Sequence, residues 1–239
     1  MKIDIIETSN LGIKTSKQNI DRPLGISPPF IDKPAIYVVS GSMGSGKSAF
    51  VQSIMTAKGA NKVFHRAFNQ VHYSTPIEVF ESEENHPFKD HSKERTYHEL
   101  TVGTLLHIQE QAILQKQEGG VSCMILDDFS EVYKQKAIEL QLRKTFYKHR
   151  HMKLNIIITV LNLRSIPKSL RGLVDVYVVF KPSVVEMEAV NDDIFELKRD
   201  ELQQLTDYVF DEPYNFLFFK QKSKTFYKNF DKLKLTKKE

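Results

Sequence analysis

The chain of 239 residues contains one cysteine, Cys123, and no tryptophan. A single cysteine excludes a disulfide within the chain, and its place in an apolar segment favours a buried core residue over a nucleophile. This usage is consistent with a reducing compartment. No apolar run approaches the roughly 18 residues that a membrane-spanning helix needs. Acidic residues at positions 4 and 7 interrupt the segment where a signal peptide would have its apolar core, so we do not expect secretion.

Glycine is scarce too, with ten residues, yet three of them lie in the run 41–48, Gly-Ser-Met-Gly-Ser-Gly-Lys-Ser. An apolar, β-rich stretch precedes the run at 35–40, and a segment that can form a helix follows at 49–55. The pattern G-x-x-x-x-G-K-[ST] between a strand and a helix is typical of a phosphate-binding loop. Its glycines let backbone N–H groups turn inward around a triphosphate, and the helix start adds partial positive charge. A surface turn rich in Gly and Ser is the alternative, and it would leave the flanking strand and helix unexplained.

We therefore expect this loop to bind a nucleoside triphosphate, taken to be ATP, together with Mg²⁺. Lys47 is predicted to reach the β- and γ-phosphates, and the Ser48 hydroxyl is predicted to be a ligand of Mg²⁺. The predicted nucleotide contacts are Gly41, Ser42, Met43, Gly44, Ser45, Gly46, Lys47, Ser48 and Ala49.

A second motif is the run 123–128, Cys-Met-Ile-Leu-Asp-Asp, which matches the Walker B pattern of an apolar strand that ends in an acid. Asp127 lies where open parallel sheets place their ligands, so we expect it to hold Mg²⁺ directly or through water. Asp128 can polarise a water in line with the γ-phosphate, which favours hydrolysis over transfer to an acceptor. An exposed strand end would also explain an acid here, but the upstream phosphate loop favours the functional interpretation.

A further strand is predicted at 155–160. ATPases that use a second acid insert such a strand between the phosphate-loop strand and the acidic strand, so that its end faces the γ-phosphate. A polar residue there can sense hydrolysis, and Thr159 and Asn162 are the candidates. Thr159 can equally be a β-branched strand residue that pairs with a neighbour. We carry Asn162 forward as the candidate sensor.

An arginine at the γ-phosphate would stabilise charge in the transition state. Arg143, Arg150, Arg164 and Arg171 all follow the Walker B motif. Arg171 is our first candidate and Arg150 the second, while a surface or DNA-facing position is the alternative for each. An arginine that acts across a subunit interface would require a ring of subunits.

Strands alternate with helices along the chain, which predicts an α/β fold of three layers with a mainly parallel central sheet. We expect helices at 98–116, about 132–150 and within 183–206, a short turn or helix at 165–171, and strands at 69–76 and 174–180. The segments 215–220 and 225–230 predict a C-terminal β-hairpin. The charged stretch 81–95 reads as a solvated loop, and its histidines, His86 and His91, lack acidic or thiol partners at metal-ligand spacing. The predicted division is an extended N-terminal arm (1–34), an ATPase domain (35–231) and a basic tail (232–239).

Positive charge is concentrated at the C-terminal end. The whole chain carries a net charge of +4. Residues 219–239 contain eight lysines against two acids, or +6, so the remainder carries −2. A solvated end explains this charge, and the interleaved aromatic residues would also suit a nucleic-acid backbone. The predicted helix at 134–150 has the same two interpretations, with Lys134, Lys136, Arg143, Lys144 and Lys148 as its possible DNA contacts.

Several of these motifs, in this order, resemble one superfamily. They are Gly-x-x-Gly-Ser-Gly-Lys-Ser, Ile-Leu-Asp-Asp, Arg150-His151 before a strand, Ile166-Pro167 leading to Arg171, and the aromatic C-terminal hairpin. Over residues 35–231 the sequence resembles the viral genome-packaging ATPases of the FtsK–HerA superfamily, closest to the poxvirus-type branch. The family often has Gln just after the strand at 155–160, where this chain has Leu161 and then Asn162.

The resemblance implies a RecA-like P-loop NTPase of the ASCE type, in a ring that is usually hexameric. Such a ring threads double-stranded DNA into a preformed capsid with ATP, in the host-cell cytoplasm or viral factory, with capsid proteins as further partners and no membrane. Another FtsK–HerA-type DNA translocase or helicase is the alternative. A P-loop small-molecule kinase and a non-hydrolysing assembly module are further alternatives, although no compact arginine-rich lid is evident and both acids are present.

Overall fold

A computed structural model describes residues 23–82 and 86–235 of the chain. Within them the strands are β1 (Ile36–Ser40), β2 (Gln70–Ser74), β3 (Thr96–Tyr97), β4 (Ser122–Leu126), β5 (Leu154–Val160), β6 (Val176–Phe180), β7 (Phe216–Lys220), β8 (Thr225–Lys228) and β9 (Asp231–Lys232). The helices are α1 (Lys47–Thr56), α2 (Ile77–Ser82), α3 (Val102–Gln117), α4 (Lys136–Lys148), α5 (Lys168–Arg171), α6 (Val184–Val190) and α7 (Arg199–Val209). Short 3₁₀ turns occupy Gly59–Asn61, Lys93–Arg95 and Leu163–Ser165, and a π-helical turn occupies Asn191–Phe195. None of the helices in these ranges is long and apolar enough to cross a membrane.

The strands of the described ranges form one sheet in the order β3-β2-β4-β5-β1-β6-β7-β8-β9. The pairs from β3 to β6 are parallel, and β7, β8 and β9 add antiparallel strands at one edge. Strand β5 lies between β1 and β4, as the sequence predicted. The carboxyl ends of β1, β4 and β5 therefore meet at one edge of the sheet, where parallel α/β proteins bind their ligands.

The core lies on both faces of the sheet because the central strands are apolar on both sides. In β1, Ile36 and Val38 point into the core on one face, and Tyr37 and Val39 point into the core on the other. Helices α3, α4 and α7 cover the first face, and α1 covers the second. This confirms the predicted three-layer α/β fold, with the C-terminal hairpin formed by β7 and β8.

The described part of the N-terminal segment, residues 23–34, has no helix or strand. Its Ile26 and Phe30 are buried beside α1, and the Phe30 ring lies 5.3 Å from that of Phe218. This part packs on its own domain. Residues 1–22 and 236–239, parts of the predicted arm and basic tail, lie outside the described residues.

Two local expectations have clear outcomes. Cys123 is a buried core residue, as predicted, and burial raises the pKa of its thiol to about 12.

The expectation of a solvated loop at 81–95 is wrong for its centre, where His86 and Phe88 are buried. The reason is aromatic packing, since the ring of Phe88 stacks on that of Tyr73 at 4.4 Å.

Candidate nucleotide-binding site

The glycine-rich run 41–48 connects β1 to α1 at the carboxyl edge of the sheet. Gly46 has φ +105°, a left-handed conformation that favours glycine, and no side chain caps the start of α1. A Cβ on Gly41 would lie 2.8 Å from the Cβ of Phe180, so this position also requires glycine. The loop therefore follows a path in which the first-turn N–H groups of α1 can bind an anion.

Lys47 joins the loop to the acids at the strand ends. Its side chain is largely buried, and its Nζ donates a hydrogen bond to the Ser42 carbonyl oxygen at 2.9 Å. Burial lowers the pKa of Lys47, and the nearby carboxylates of Asp128 and Asp127 oppose this change. The ammonium group thus lies within electrostatic reach of both acids.

Asp127 follows β4 directly and is only 3% exposed. Its Oδ1 accepts a hydrogen bond from the Thr159 hydroxyl at 2.6 Å, and its Oδ2 accepts one from the Tyr73 hydroxyl at 3.1 Å. Burial raises the pKa of Asp127, while both hydrogen bonds act in the opposite direction. The carboxylate is therefore held in one orientation from two neighbouring strands.

His86 continues this chain of hydrogen bonds. The backbone N–H of Phe88 donates to His86 Nδ1 at 3.1 Å, so the ring proton belongs on Nε2. Nε2 lies 3.0 Å from the Tyr73 oxygen and donates to it, and Tyr73 donates in turn to Asp127. Neither Tyr73 nor His86 is predicted as a site residue from the sequence, because their positions give no sign of contact with the acid.

Asp128 has a different environment from its neighbour. It is exposed, has φ +63°, and borders a cavity of about 580 Å³. Its backbone N–H donates to the Thr159 hydroxyl at 2.9 Å. This arrangement leaves its carboxylate free to meet water while its backbone is held in place.

Thr159 bridges the two acids through one hydroxyl group, and it is fully buried. The register of β4 and β5 pairs Leu126 with Ile158, so the next residues of the two strands lie side by side. From the sequence, Thr159 is a candidate for a sensor or for a strand residue, and it is not among the predicted site residues. The contact between Thr159 and Asp127 could have been predicted from the strand order together with the register of β4 and β5.

Asn162 lies two residues beyond β5, at the start of the 3₁₀ turn Leu163–Ser165. Its side-chain oxygen accepts a hydrogen bond from the Ser165 hydroxyl at 3.4 Å. It thus occupies the carboxyl edge of the sheet, and its role as sensor stays a prediction.

The two candidate arginines lie in ion pairs of this chain. Arg150 donates to the buried Asp175 at 3.1 Å, just before β6 and at the amino edge of the sheet, opposite the glycine-rich loop. Arg171 donates to the Ile166 carbonyl oxygen at 3.0 Å and pairs with Asp193. Their catalytic roles stay predictions.

The other two arginines are exposed. Arg164 lies on the 3₁₀ turn after β5, on the same edge as the glycine-rich loop, and Arg143 lies on α4. Of the four arginines considered, Arg164 therefore combines exposure with a position at the edge that carries the acids.

The donor set fits a hard cation such as Mg²⁺. Ser48 and Asp127 offer oxygen ligands, and the Asp127 carboxylate keeps acceptor capacity beyond its two hydrogen bonds. Among the described residues, no group of three or more His, Cys, Asp or Glu side chains could hold a metal ion. Phosphate and water oxygens would have to supply the remaining ligands, which is usual for Mg²⁺.

Solved structures with the same fold include viral and bacterial ATPases. The DNA-packaging ATPase from Sulfolobus turreted icosahedral virus is similar with a TM-score of 0.62 and 13% identity, over 83% of this chain and 98% of that chain. The genome-packaging NTPase from Sulfolobus turreted icosahedral virus 2, in complex with AMP, has a TM-score of 0.59 and 16% identity, over 84% and 98%. ATPases 2 and 3 of EssC from Geobacillus thermodenitrificans have a TM-score of 0.53 and 15% identity, over 82% of this chain and 40% of that chain.

The sequence itself matches a family model. No curated protein matches the chain significantly. The model of the zonular occludens toxin (Zot) family matches residues 35–215, which span the loop, both acids and every parallel strand. The chain therefore belongs to the zonular occludens toxin (Zot) family, and its fold is that of P-loop NTPases of the FtsK–HerA type.

Proposed function

We propose that this protein is an ATP-hydrolysing motor that moves double-stranded DNA into a viral capsid. The observation that carries the enzymatic part is the position of Lys47, Asp127 and Asp128 at one edge of the sheet, where the two acids differ in exposure. The DNA-packaging role of the similar viral ATPases supports the biological part.

In this mechanism, the backbone of the glycine-rich loop surrounds the phosphates. The ammonium group of Lys47 leaves the Ser42 carbonyl oxygen and donates hydrogen bonds to phosphate oxygens instead. Ser48 and Asp127 would hold Mg²⁺, whose charge would neutralise the phosphates. Asp128 accepts a hydrogen bond from the attacking water and orients it toward the γ-phosphate. Thr159 and Tyr73 keep Asp127 in place through their hydrogen bonds.

A guanidinium from an adjoining subunit would complete the site in a ring, which we take to be a hexamer. Arg171 would have to leave Asp193, and Arg150 would have to leave the buried Asp175. Arg164 is exposed and would give up a longer hydrogen bond, to the Val185 carbonyl oxygen at 3.5 Å. Arg164→Ala is therefore compared directly with Arg171→Ala, and the larger loss of ATP turnover identifies the residue.

Helix α4 offers a surface for the DNA backbone. The cations on this helix and just before it are all exposed, and they are Lys134, Lys136, Arg143, Lys144 and Lys148. Contacts with phosphates would make DNA affinity fall steeply with salt concentration.

The test of the motor function is ATP-dependent displacement of a triplex-forming strand from double-stranded DNA. The wild-type protein is expected to displace the strand only with ATP, Lys47→Ala is expected to lose nucleotide binding and displacement, and Asp128→Asn is expected to bind ATP without displacement. Hydrolysis without displacement would exclude a translocase. Phosphate transfer to an added small-molecule acceptor in place of hydrolysis would favour a kinase, and nucleotide binding with neither activity would favour an assembly module.

A further inference from the structure

A second cavity, of about 650 Å³, borders the glycine-rich loop on the side where α1 begins. Its lining includes Gly46 and Ala49, at the end of the loop and the start of α1, and the aromatic residues Phe180, Tyr214 and Phe216. We call it the aromatic cleft. The cavity that borders Asp128 shares no lining residue with it.

The aromatic wall of the cleft is rigid. The ring of Phe216 lies 5.1 Å from that of Phe50, 5.4 Å from that of Phe180 and 5.3 Å from that of Phe230. Tilted and edge-to-face contacts of this kind fix ring positions. The wall is therefore formed before any ligand arrives.

Tyr214 is the exposed member of the wall. It is 71% exposed, and its ring approaches the last glycine of the loop, with Cδ1 only 3.6 Å from where a Cβ on Gly46 would lie. Its backbone has φ +64°, which is uncommon for a bulky aromatic residue. The next residue, Asn215, is hydrogen-bonded to Asp211 at 2.8 Å and to Asn229 at 2.9 Å, so the turn that presents Tyr214 is well held. A strained backbone that presents an exposed ring beside the loop points to a ligand contact.

The direction of the bound triphosphate follows from the site. Asp127 and Asp128 would mark the side of the γ-phosphate, since they follow β4 at the sheet edge that carries the glycine-rich loop. The nucleoside would leave the loop away from these acids, where Gly46 and Ala49 border the aromatic cleft. The volume of the cleft is within the range of small-molecule sites, roughly 300–1,000 Å³.

We infer that the aromatic cleft binds the base and ribose of the nucleotide, with the ring of Tyr214 stacked on a purine. This inference rests on the proposed function, because it assigns the nucleoside end of the same ligand. Every polar side chain that lines the cleft is exposed, including Ser53, Asn61 and Lys62. A site that reads base edges needs fixed, buried polar groups, whereas stacking accepts any base with a large ring face. The cleft therefore selects purine over pyrimidine nucleotides and accepts ATP and GTP with similar affinity.

The test compares binding of ATP, GTP, CTP and inorganic triphosphate, each with Mg²⁺, by isothermal titration calorimetry. Tyr214→Ala is expected to weaken ATP and GTP binding about tenfold or more, as for removal of one stacked ring, and to leave the affinity for inorganic triphosphate unchanged. Tyr214→Phe is expected to bind all ligands as the wild-type protein does. Tyr208→Ala removes another exposed tyrosine, outside the lining of the cleft, and is the matched control.

A second variant tests the same contact without shortening the side chain at position 214. The chain has no tryptophan, so Tyr214→Trp introduces a single one. Its fluorescence is expected to be quenched by ATP and GTP and to be unaffected by inorganic triphosphate.

Equal weakening of ATP and inorganic triphosphate by Tyr214→Ala, unchanged ATP affinity in that variant, or a strong preference of the wild-type protein for ATP over GTP would overturn the inference and leave the proposed function standing. Failure of the wild-type protein to bind either ATP or inorganic triphosphate would overturn the proposed function, and this inference with it.

Discussion

The hydroxyl of Thr159 shows how single residues shape this site. It donates to Asp127 and accepts from the backbone N–H of Asp128, so one group fixes the two acids relative to each other. Asp127 is thereby held inside the protein, and Asp128 is turned toward solvent. The different exposure of two adjacent carboxylates favours different tasks, namely cation binding for the first and water activation for the second.

Asp128→Asn is expected to reduce the rate of ATP hydrolysis by about 100-fold or more, with the dissociation constant for ATP unchanged. Asparagine tolerates the left-handed backbone found at this position, so the loop keeps its path. Steady-state hydrolysis and equilibrium binding of ATP measure the two quantities. Undiminished turnover in this variant would remove Asp128 as the residue that activates water.

Thr159→Val is expected to lower kcat for ATP by about 10- to 100-fold, as for residues that orient a metal ligand, with a smaller change in KM. The variant keeps the shape of the side chain and removes both hydrogen bonds. Thr159→Ser keeps the hydroxyl and is expected to retain activity. The measurement is kcat and KM at several Mg²⁺ concentrations, and equal loss in the Val and Ser variants would contradict a role that depends on the hydroxyl group.

At the level of elements, helix α4 combines a buried face with a cationic one. Ile138, Leu142 and Phe146 pack in the core, while Arg143 and Lys144 face solvent. The buried side fixes the position of the helix, so the exposed charges form a defined surface, which we propose as the contact for a DNA backbone.

The double variant Arg143→Gln/Lys144→Gln is expected to weaken double-stranded DNA binding. It should also reduce the dependence of log K on log salt by about 0.9 for each DNA phosphate that the variant no longer neutralises. The control is Lys58→Gln/Lys116→Gln, which removes the same charge from exposed positions elsewhere. Fluorescence anisotropy at several salt concentrations measures both. Identical effects of the two variants would assign the change to net charge alone.

The sequence predicts elements well where one signal dominates. The apolar runs of β1, β4 and β5 identify buried parallel strands, and the glycine-rich loop fixes the junction of β1 and α1. The two-residue strands β3 and β9 and the π-helical turn between α6 and α7 carry no such signal.

Contacts between distant segments are also beyond sequence patterns. Tyr73 donates a hydrogen bond to Asp127, 54 positions away in the chain. Arg150, a candidate catalytic arginine from the sequence, forms an ion pair with the buried Asp175. Such contacts depend on strand order and register, which alternation of polar and apolar residues does not specify.

On the scale of the whole molecule, the sheet separates two edges with different roles. The carboxyl edge carries the loop and the acids, while the amino edge is stabilised by Asp175 with Arg150 and Lys222. Within the sheet, β2 contains a fully buried histidine, His72, whose Nδ1 lies 3.0 Å from the Tyr97 hydroxyl.

The stability of the protein is expected to fall on acidification between pH 6.5 and about 4. Burial, followed by the charges of Arg95, His107 and His91, lowers the pKa of His72 to about 4. The unfolded chain takes up a proton at this residue near pH 6.5, so the unfolded state gains protons first and stability is lost as pH falls through this window. The loss from His72 is up to about 3 kcal/mol at about 1.4 kcal/mol per pH unit.

His72→Asn provides the comparison, since it retains a polar atom near Tyr97 without the titration. The measurement is urea denaturation at several pH values, and the variant is expected to lose less stability on acidification than the wild-type protein. An equal acid dependence in the two proteins would exclude His72 as the source.

The proposed function requires that ATP bound in the glycine-rich loop is hydrolysed beside Asp127 and Asp128 and that DNA controls this reaction. The most direct measurement is steady-state ATP hydrolysis with and without double-stranded DNA, for the wild-type protein and for Lys47→Ala. We predict hydrolysis that DNA stimulates in the wild-type protein and that the variant lacks in both conditions. Hydrolysis that persists in Lys47→Ala, or wild-type hydrolysis that DNA leaves unchanged, would contradict the claim.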